Sequence, residues 1–318
     1  MGLLIQEMQR VAALWGKHCR NIHPHLILPG SPERTLSRIV IEDEHGDLFS
    51  CEEIDPKILS RKLGIIQTLN FLNDLSMPFI EPYCCGLDGQ YVQQLDGHWW
   101  QMVAFVPGVL LDRSVYFYEG WRAKDLAVFL ISLKEKSQGL PLFDKSSFSI
   151  GSYIDKLILD IRKYRPELMG DIGLILRFLD KEFMGQSSSL PLGFCHGDYH
   201  PLNIIWGEQG MRSVIDWEFC GIKSEIYDTV NMVGCLGMEH PSSLTADLVI
   251  GFISGLQKAG VYQQESWKYF LEFIVAQRFG WLAEWLRKKD EEMIVMELDY
   301  MKLLIDNRSD FSNAWRIS

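Results

Sequence analysis

The stretch of sequence that decides the fold reads His196-Gly197-Asp198-Tyr199-His200-Pro201-Leu202-Asn203. A second stretch follows it and reads Ile215-Asp216-Trp217-Glu218. Apolar runs at residues 203–206 and 213–215 bracket a glycine-containing turn, which predicts a β-hairpin. Because Asn203 opens the first run and Asp216 follows the second, the hairpin brings these two side chains close together. Asp198 lies on the loop that leads into the first strand.

The side chains of these stretches are typical of phosphoryl transfer. Asn203 and Asp216 supply amide and carboxylate oxygens, which suit a Mg²⁺ ion that keeps several waters and binds substrate phosphates. Phosphoryl transfer also needs a carboxylate that orients the attacking hydroxyl and accepts its proton. Asp198, on the loop outside the strand pair, is suited to that role.

These two stretches resemble the catalytic core of the aminoglycoside phosphotransferase family, which is related to the choline kinases and more distantly to protein kinases. The Asp-x-x-x-x-Asn interval and the later Asp match the protein-kinase arrangement, with His-Gly-Asp in place of His-Arg-Asp. The resemblance implies that Asp198 is the catalytic base, that Asn203 and Asp216 hold Mg²⁺, and that ATP or another nucleoside triphosphate is the phosphoryl donor. It also implies that Asp228 is structural, and we interpret His196 as a residue that supports the catalytic loop.

The fold class implied is α+β. We expect a bilobal protein-kinase-like fold with a small mixed α/β N-terminal lobe and a larger, mainly helical C-terminal lobe. Residues 37–54 predict a β-hairpin and residues 56–75 a helix, while helical periodicity dominates beyond Pro107-Gly108. Residues 1–106 are therefore predicted to form a nucleotide-binding lobe, and residues 107–318 a catalytic and substrate lobe.

Two positions of the N-terminal lobe are predicted to contact the nucleotide outside the catalytic stretches. Phe105 belongs to the segment Phe105-Val106-Pro107-Gly108, which resembles the family's hinge. Residues 28–35 occupy the place of the family's glycine-rich loop but contain one glycine, so Ser31 or Thr35 is expected to add a hydroxyl to the phosphates.

The strand that should carry a phosphate-binding lysine is the main departure from the family pattern. Glu52 occupies roughly that place, and a carboxylate there would repel the phosphates. One hypothesis is a charge-swapped pair in which Glu52 or Glu53 holds Arg61 or Lys62, so that the helix cation faces the phosphates. An error in the strand alignment is the alternative.

The acceptor is predicted to lie against Glu218, Trp281 and Trp285. The two tryptophans are four residues apart on one helix face, and carboxylates such as Glu284 lie nearby in the sequence. Aromatic faces and carboxylates suit a cationic acceptor. Core packing of the tryptophans and solvent exposure of the glutamates remain the alternative, and Glu218 could equally assist the metal or bond nearby backbone.

Composition limits the partners. The chain has 318 residues, with 31 Lys and Arg against 42 Asp and Glu, so its net charge of −11 argues against nucleic-acid binding. The absence of an apolar run of about 18 residues argues against a membrane partner. Seven cysteines without a Cys-x-x-Cys pair favour a reduced cytoplasm. Nothing in the sequence indicates an oligomeric state.

Two functions follow from these patterns. The first is an ATP-dependent small-molecule kinase that phosphorylates a hydroxyl of an aminoglycoside-, choline- or sugar-like acceptor. The alternative is a catalytically weak or inactive kinase-like protein that acts as a nucleotide sensor or structural partner. The missing strand lysine and the sparse glycines favour this alternative.

Overall fold

The computed structural model describes residues 2–26, 36–144 and 146–317 of the chain. Within these residues the β-strands are β1 (Asn21–Ile22), β2 (Ser37–Glu42), β3 (Leu48–Ile54), β4 (Val92–Leu95), β5 (His98–Ala104), β6 (Leu192–Cys195), β7 (Ile204–Trp206), β8 (Met211–Val214) and β9 (Gly221–Ser224). The α-helices are α1 (Gly2–Ala13), α2 (Leu59–Asp74), α3 (Arg122–Lys136), α4 (Ile150–Tyr164), α5 (Met169–Glu182), α6 (Tyr227–Glu239), α7 (Asp247–Ala259), α8 (Gln264–Lys268), α9 (Phe270–Lys288), α10 (Glu291–Asp306) and α11 (Arg308–Trp315). A mixed N-terminal part and a mainly helical C-terminal part confirm the predicted α+β class.

The chain forms two compact units that differ from a simple division along the sequence. The first unit comprises Met1–Leu110, Glu135–Asp144 and Leu202–Phe219. The second unit comprises Leu111–Lys134, Lys145–Pro201 and Cys220–Ser318. The first unit thus contains the predicted N-terminal lobe together with the β7–β8 hairpin.

The first unit is built on a five-stranded antiparallel sheet with the order β1-β2-β3-β5-β4. The predicted hairpin is confirmed as β2 and β3. Its turn is closed by Asp43, whose carboxylate accepts the backbone N–H groups of His45 (2.9 Å) and Asp47 (3.0 Å). In the resulting register Arg38 lies opposite Glu52, and Glu52 lies opposite Gln101 on β5. Directly paired residues share a face of the sheet, so these three side chains form a row across three strands.

The two faces of this sheet have different roles. One face carries apolar residues such as Ile41, Cys51 and Met102, and Met8 and Val11 of α1 pack in the same core cluster. Because successive side chains of a strand alternate between faces, the residues between them point to the opposite side. That opposite face carries the row that includes Arg38 and Glu52.

Helix α2 confirms the predicted helix of the N-terminal lobe and carries an unusual buried cation. Asp55 accepts the backbone N–H of Lys57 at 2.9 Å and caps the 3₁₀ turn Pro56–Ile58 that leads into the helix. The buried face of α2 includes Lys62 among apolar residues. A lysine is rarely buried unless it is paired with an acidic group, so the ion-pair partner of Lys62 is described with the candidate site.

The second unit is mainly helical. Helix α9 packs against α4, α6 and α10, and the short strands β6 and β9 pair antiparallel from Leu192 to Cys195. The pairing of these two strands was not predicted from the sequence. Among the described helices, none combines the length and apolar composition needed to cross a membrane.

Candidate active site

The loop that carries Asp198 emerges from the end of β6 in the second unit. Asp228, buried at the start of α6, accepts the backbone N–H groups of His196 (2.7 Å) and Gly197 (2.8 Å). Gly197 has a φ of +86°, a left-handed conformation that a residue with a Cβ rarely adopts. The two residues before Asp198 are therefore fixed by a buried carboxylate, the structural role that the resemblance implied for Asp228.

The electrostatics of Asp228 reflect its burial. Burial raises the pKa of the Asp228 carboxyl to about 6, while the hydrogen bonds from Gly197 and His196 act in the opposite direction. Lys223 lowers this pKa and Asp198 raises it, both more weakly. The carboxylate is thus stabilised mainly by the backbone of the loop that it supports.

Further contacts hold the loop on both sides of Asp198. The backbone N–H of Asp198 donates to Nδ1 of the fully buried His196 at 3.2 Å. Beyond Asp198, the backbone oxygen of Tyr199 accepts Nδ2 of Asn231 at 3.2 Å, and the Tyr199 hydroxyl donates to the Leu126 carbonyl at 3.3 Å. The Asp198 side chain itself stays about one fifth exposed. The loop therefore presents this carboxylate from a fixed backbone.

An aromatic row extends from the Asp198 loop along α9. Nε2 of His200 lies 3.6 Å from Oδ2 of Asp198, and the His200 ring meets the Trp281 ring edge to face at 6.1 Å. Trp281 stacks on Trp285 with 6.2 Å between ring centroids. Both tryptophans are half-buried, so they are not fully enclosed in the core.

The chain's own cations engage the carboxylates and the rings near this row. Arg278 pairs with the fully buried Glu297, and its guanidinium lies 5.5 Å from the Trp281 ring. Lys288 lies 5.4 Å from the Trp285 ring and pairs with Glu284 at 3.1 Å. These internal pairs weaken the case for a cationic acceptor.

In the first unit, the β7–β8 hairpin brings the two predicted metal ligands together at its open end. Ile204 pairs with Val214, and the backbone N–H of Ile215 donates to the carbonyl of Asn203 at 3.0 Å. Asn203 is buried, and Asp216 has a φ of +64°. Aspartate tolerates this left-handed conformation better than most residues do.

The first unit also contains a pocket with about 840 Å³ of empty space, part of it open to solvent. Apolar and polar residues line it at different places. The apolar lining is Ile65, Leu69, Val103, Ala104, Phe105, Val106, Ile205, Val214, Ile215 and Trp217. The polar lining is Arg38, Ser50, Glu52, Lys62, Glu81, Tyr83, Ser213, Asp216 and Glu218. Phe105, Lys62, Asp216 and Glu218, four of the predicted site residues, therefore meet in one pocket.

The two cations of α2 have different environments. Lys62 is 4% exposed, lines the pocket and forms an ion pair with the carboxylate of Glu218. Arg61 is not among the lining residues: its Nε donates to the backbone oxygen of Glu218 at 2.7 Å, and its guanidinium lies 5.3 Å from the Phe143 ring. Lys62 is thus the better candidate for contact with a phosphate, and Arg61 holds the segment around Glu218.

The predicted pairing of Glu52 or Glu53 with a helix cation is wrong. Oε1 of Glu52 lies 3.1 Å from Nε of Arg38, and its Oε2 accepts Nε2 of Gln101 at 2.7 Å. Glu53 contacts Nδ1 of His98 at 2.6 Å. The reason is the strand register, which places Arg38 directly opposite Glu52. Glu53, the next residue of β3, points to the opposite face of the sheet. Glu52 does line the pocket, as the strand alignment predicted.

Sequence reasoning missed five of the polar lining residues, which are Arg38, Ser50, Glu81, Tyr83 and Ser213. Arg38 could have been found by counting back through the predicted hairpin turn, which fixes its partner as Glu52. Glu81 and Tyr83 gave no such signal, because they lie in an irregular segment. Burial raises the pKa of the Glu81 carboxyl. Ser31 and Thr35, the remaining predicted contacts, lie outside the described residues.

Asn203 and Asp216 fit the requirements of a Mg²⁺ site. They supply one amide and one carboxylate oxygen donor, and Asp216 faces the pocket. Among the residues that the structure describes, no cluster of three His, Cys, Asp or Glu side chains could hold a metal by itself. Mg²⁺ is usually held by one or two carboxylates together with substrate phosphates, so this sparse donor set suits it.

The kinase-like fold and these groups define a phosphotransferase with an alcohol group as acceptor. The sequence matches the phosphotransferase enzyme family over residues 65–262, and the chain belongs to that family. This confirms the resemblance found from the catalytic stretches. No curated protein matches the sequence.

Solved structures with the same fold include several small-molecule kinases. An amicoumacin kinase in complex with AMP-PNP, Ca²⁺ and Ami is 15% identical, with 95% of this chain and 93% of that chain covered and a TM-score of 0.67. The GDP complex of wild-type aminoglycoside 2'-phosphotransferase-IIIa is 17% identical, with 96% and 99% covered and a TM-score of 0.64. A choline/ethanolamine kinase family protein from Mesorhizobium loti is 14% identical, with 93% and 96% covered and a TM-score of 0.55. At these identities the similarity establishes the fold.

Proposed function

We propose that this protein is a small-molecule kinase that transfers the γ-phosphoryl group of ATP, or of another nucleoside triphosphate, to a hydroxyl of its acceptor. The observation that carries the proposal is the partly exposed carboxylate of Asp198 on a loop whose backbone is held by the buried Asp228. Family membership and the fold of nucleotide-bound kinases support it.

The donor is proposed to bind in the pocket of the first unit. Its apolar lining, which includes Phe105, suits a purine ring, and Lys62 supplies positive charge for the phosphates. Asn203 and Asp216 would hold Mg²⁺, which when bound neutralises charge on the phosphates. Ser31 stays a proposed phosphate contact and Arg61 a proposed indirect one.

At the acceptor, Asp198 is proposed to orient the attacking hydroxyl and to accept its proton as the oxygen bonds to the γ-phosphorus. The bond from that phosphorus to the bridging oxygen breaks, and the nucleoside diphosphate leaves. The partly exposed row of His200, Trp281 and Trp285 would contact the body of the acceptor. Because nearby carboxylates already hold internal cations, sugar-ring acceptors fit this row better than choline-like ones.

The decisive experiment is an ATP-consumption screen over aminoglycosides, other hydroxylated antibiotics, sugars, choline and ethanolamine. The Asp198→Ala protein is the blank. We expect acceptor-dependent consumption of Mg-ATP or Mg-GTP by the wild-type protein and none above background by the variant. Equal turnover by the two proteins would contradict the assignment of Asp198.

A second candidate function, a nucleotide sensor without catalysis, is favoured by Glu52 in the place of the strand lysine. The ion pair with Arg38 weakens this argument for a sensor, because it neutralises the Glu52 carboxylate within the chain. A thermal shift with Mg-ATP, combined with no turnover on any acceptor, would support the sensor. A cytoplasmic location remains part of the proposal and is supported by seven free cysteines.

A further inference from the structure

The pair formed by Arg38 and Glu52 offers the pocket a cation for phosphate binding in the absence of the strand lysine. The two side chains lie on neighbouring strands, directly opposite each other, and both line the pocket. They are 18% and 14% exposed, so the pair is partly shielded from water. Gln101, opposite Glu52 on the next strand, donates to the second carboxylate oxygen at 2.7 Å.

This arrangement fixes a guanidinium at the pocket wall. Glu52 forms an ion pair with Arg38 on one side and accepts a hydrogen bond from Gln101 on the other, so its position is determined across three strands. A guanidinium has five N–H donors in a rigid planar fork, and a carboxylate with two oxygens engages at most part of them. The same Arg38 can therefore contact Glu52 and a phosphate oxygen together, which a lysine ammonium does with less geometric control.

The Arg38–Glu52 pair lines the same pocket as the proposed metal ligand Asp216 and as Tyr83. Burial raises the pKa of Tyr83, and the charges of Glu52, Glu218 and Asp216 raise it further, whereas Arg38 lowers it.

The charges of the pocket lining indicate that a second cation is needed. The carboxylates of Glu52, Glu81, Asp216 and Glu218 are opposed by Lys62 and Arg38, which leaves a formal net charge of −2. Removal of Arg38 would leave a formal net charge of −3 beside the triphosphate, which would repel it.

We propose that Arg38 contacts the phosphates of the nucleotide in place of the missing strand lysine, and that Glu52 positions it. The phosphate-binding cation has moved one strand across the sheet, from β3 to β2. The inference rests on the proposed function, because it assigns a residue to the nucleotide pocket of that function.

The test compares ligands with and without phosphates. The affinities of wild-type protein and Arg38→Ala are measured by calorimetry for Mg-ATP, Mg-GTP and adenosine or guanosine. We expect the dissociation constant of the preferred Mg-nucleotide to rise about tenfold to a hundredfold in Arg38→Ala, as for loss of a charge-assisted bond. The affinity for the nucleoside should change less than about threefold, because it has no phosphate.

Two double variants separate phosphate contact from a structural role. Arg38→Met with Glu52→Gln removes both charges and leaves no unpaired carboxylate, and it should lose nucleotide affinity while it unfolds close to the wild-type temperature. Arg38→Ala with Glu52→Lys returns the cation to β3, and it should recover part of the affinity lost in Arg38→Ala. This recovery is the result that a merely structural arginine would not give.

The outcomes distinguish this inference from the proposed function. Wild-type nucleotide affinity in Arg38→Met with Glu52→Gln, or an equal loss of affinity for nucleotide and nucleoside, would overturn the role of Arg38 alone. A wild-type protein that binds neither Mg-ATP nor Mg-GTP would contradict the proposed function and this inference together.

Discussion

The Asp198 loop of the second unit and the pocket of the first unit, proposed to act in catalysis and in nucleotide binding, hold their side chains by different means. The loop fixes its backbone, through buried hydrogen bonds from His196 and Gly197 to Asp228. The pocket fixes side-chain charges, through the ion pairs Arg38–Glu52 and Lys62–Glu218 between separate elements.

This difference explains why one region follows the family pattern and the other departs from it. A catalytic base must approach one hydroxyl at one distance, so its backbone conformation leaves little freedom. A phosphate needs positive charge at its oxygens, and that charge can come from a neighbouring strand or helix. We therefore expect substitutions in the loop to lower turnover and substitutions in the pocket to lower nucleotide affinity.

The largest expected effect is on turnover at Asp198. Asp198→Ala should lower kcat by about 10²–10⁴-fold, the contribution of a positioned general base, because no other group would accept the hydroxyl proton. The dissociation constant of Mg-ATP should remain within about twofold in calorimetry. A parallel loss of nucleotide affinity would show that loop and pocket are not separable in this way.

The second test removes the proposed metal ligand from the pocket. Asp216→Ala should abolish the Mg²⁺-dependent part of nucleotide affinity, because one carboxylate supplies much of the charge at this site. Binding of ATP with and without Mg²⁺ is measured by calorimetry. Persistent Mg²⁺ dependence equal to that of the wild-type protein would contradict the assignment, and Asp198→Ala serves as the control that retains it.

The third test concerns the buried support of the loop. Asp228→Asn replaces one acceptor oxygen with a donor, so one of the two backbone N–H groups loses its partner. An unsatisfied buried group costs about 1–3 kcal/mol, so we expect kcat to fall about tenfold to a hundredfold. The KM for nucleotide should stay unchanged. An unchanged kcat would show that the hydrogen bonds to Asp228 are not needed for turnover.

Asp228 also makes the stability of the protein depend on pH. Burial raises its pKa from 3.8 to about 6, so between these values the folded protein keeps a proton that the unfolded chain releases. The stabilising contribution is therefore present below the lower value and is lost as the pH rises through about 6, a change of about 3 kcal/mol. The difference in unfolding free energy between wild-type protein and Asp228→Asn should shift by about that amount in urea titrations at about pH 3 and about pH 7. A pH-independent difference would contradict the raised pKa.

A smaller effect on nucleotide affinity is expected for Lys62, and its neighbour Arg61 on α2 provides the matched control. Lys62→Met removes pocket charge and leaves Glu218 beside Asp216, so the dissociation constant of Mg-ATP should rise about tenfold. Arg61→Met loses a hydrogen bond to the Glu218 backbone but removes no charge that lines the pocket, so it should cost about 1 kcal/mol of stability and change nucleotide affinity less than about threefold. Equal effects on affinity would show that the pocket boundary does not separate them.

The smallest effect is expected on the acceptor side. Trp281→Leu and Trp285→Leu should raise the KM for the acceptor about threefold to tenfold, since an aromatic stacking contact contributes about 0.5–1.5 kcal/mol. The KM for ATP should not change. Trp121→Leu, at another exposed tryptophan of the same unit, is the control and should leave both constants unaltered. An acceptor KM that is unchanged in all three variants would remove the aromatic row from the site.

Much of the fold could be predicted because its signals are local. The β2–β3 hairpin, helix α2 and the β7–β8 hairpin each follow from periodicity and turn residues within a short window. The pairing of β6 with β9 could not be predicted, because Leu192 and Ser224 belong to short runs far apart in the sequence. Asn203 itself ends a 3₁₀ turn instead of starting the strand, a boundary that apolar pattern does not resolve.

The sequence by itself determined the family, which the stretches around Asp198 and Asp216 identify. It also predicted the roles proposed for Asp198, Asn203 and Asp216, because these residues lie at fixed intervals around one hairpin. Only the tertiary structure decided which charges neutralise one another. Lys62 pairs with a residue 156 positions away in the sequence, and Glu52 takes the cation that the strand register places opposite it. The energy of an ion pair depends on the distance between the two charges and on their shielding from water in the folded chain. Neither quantity can be derived from the local sequence.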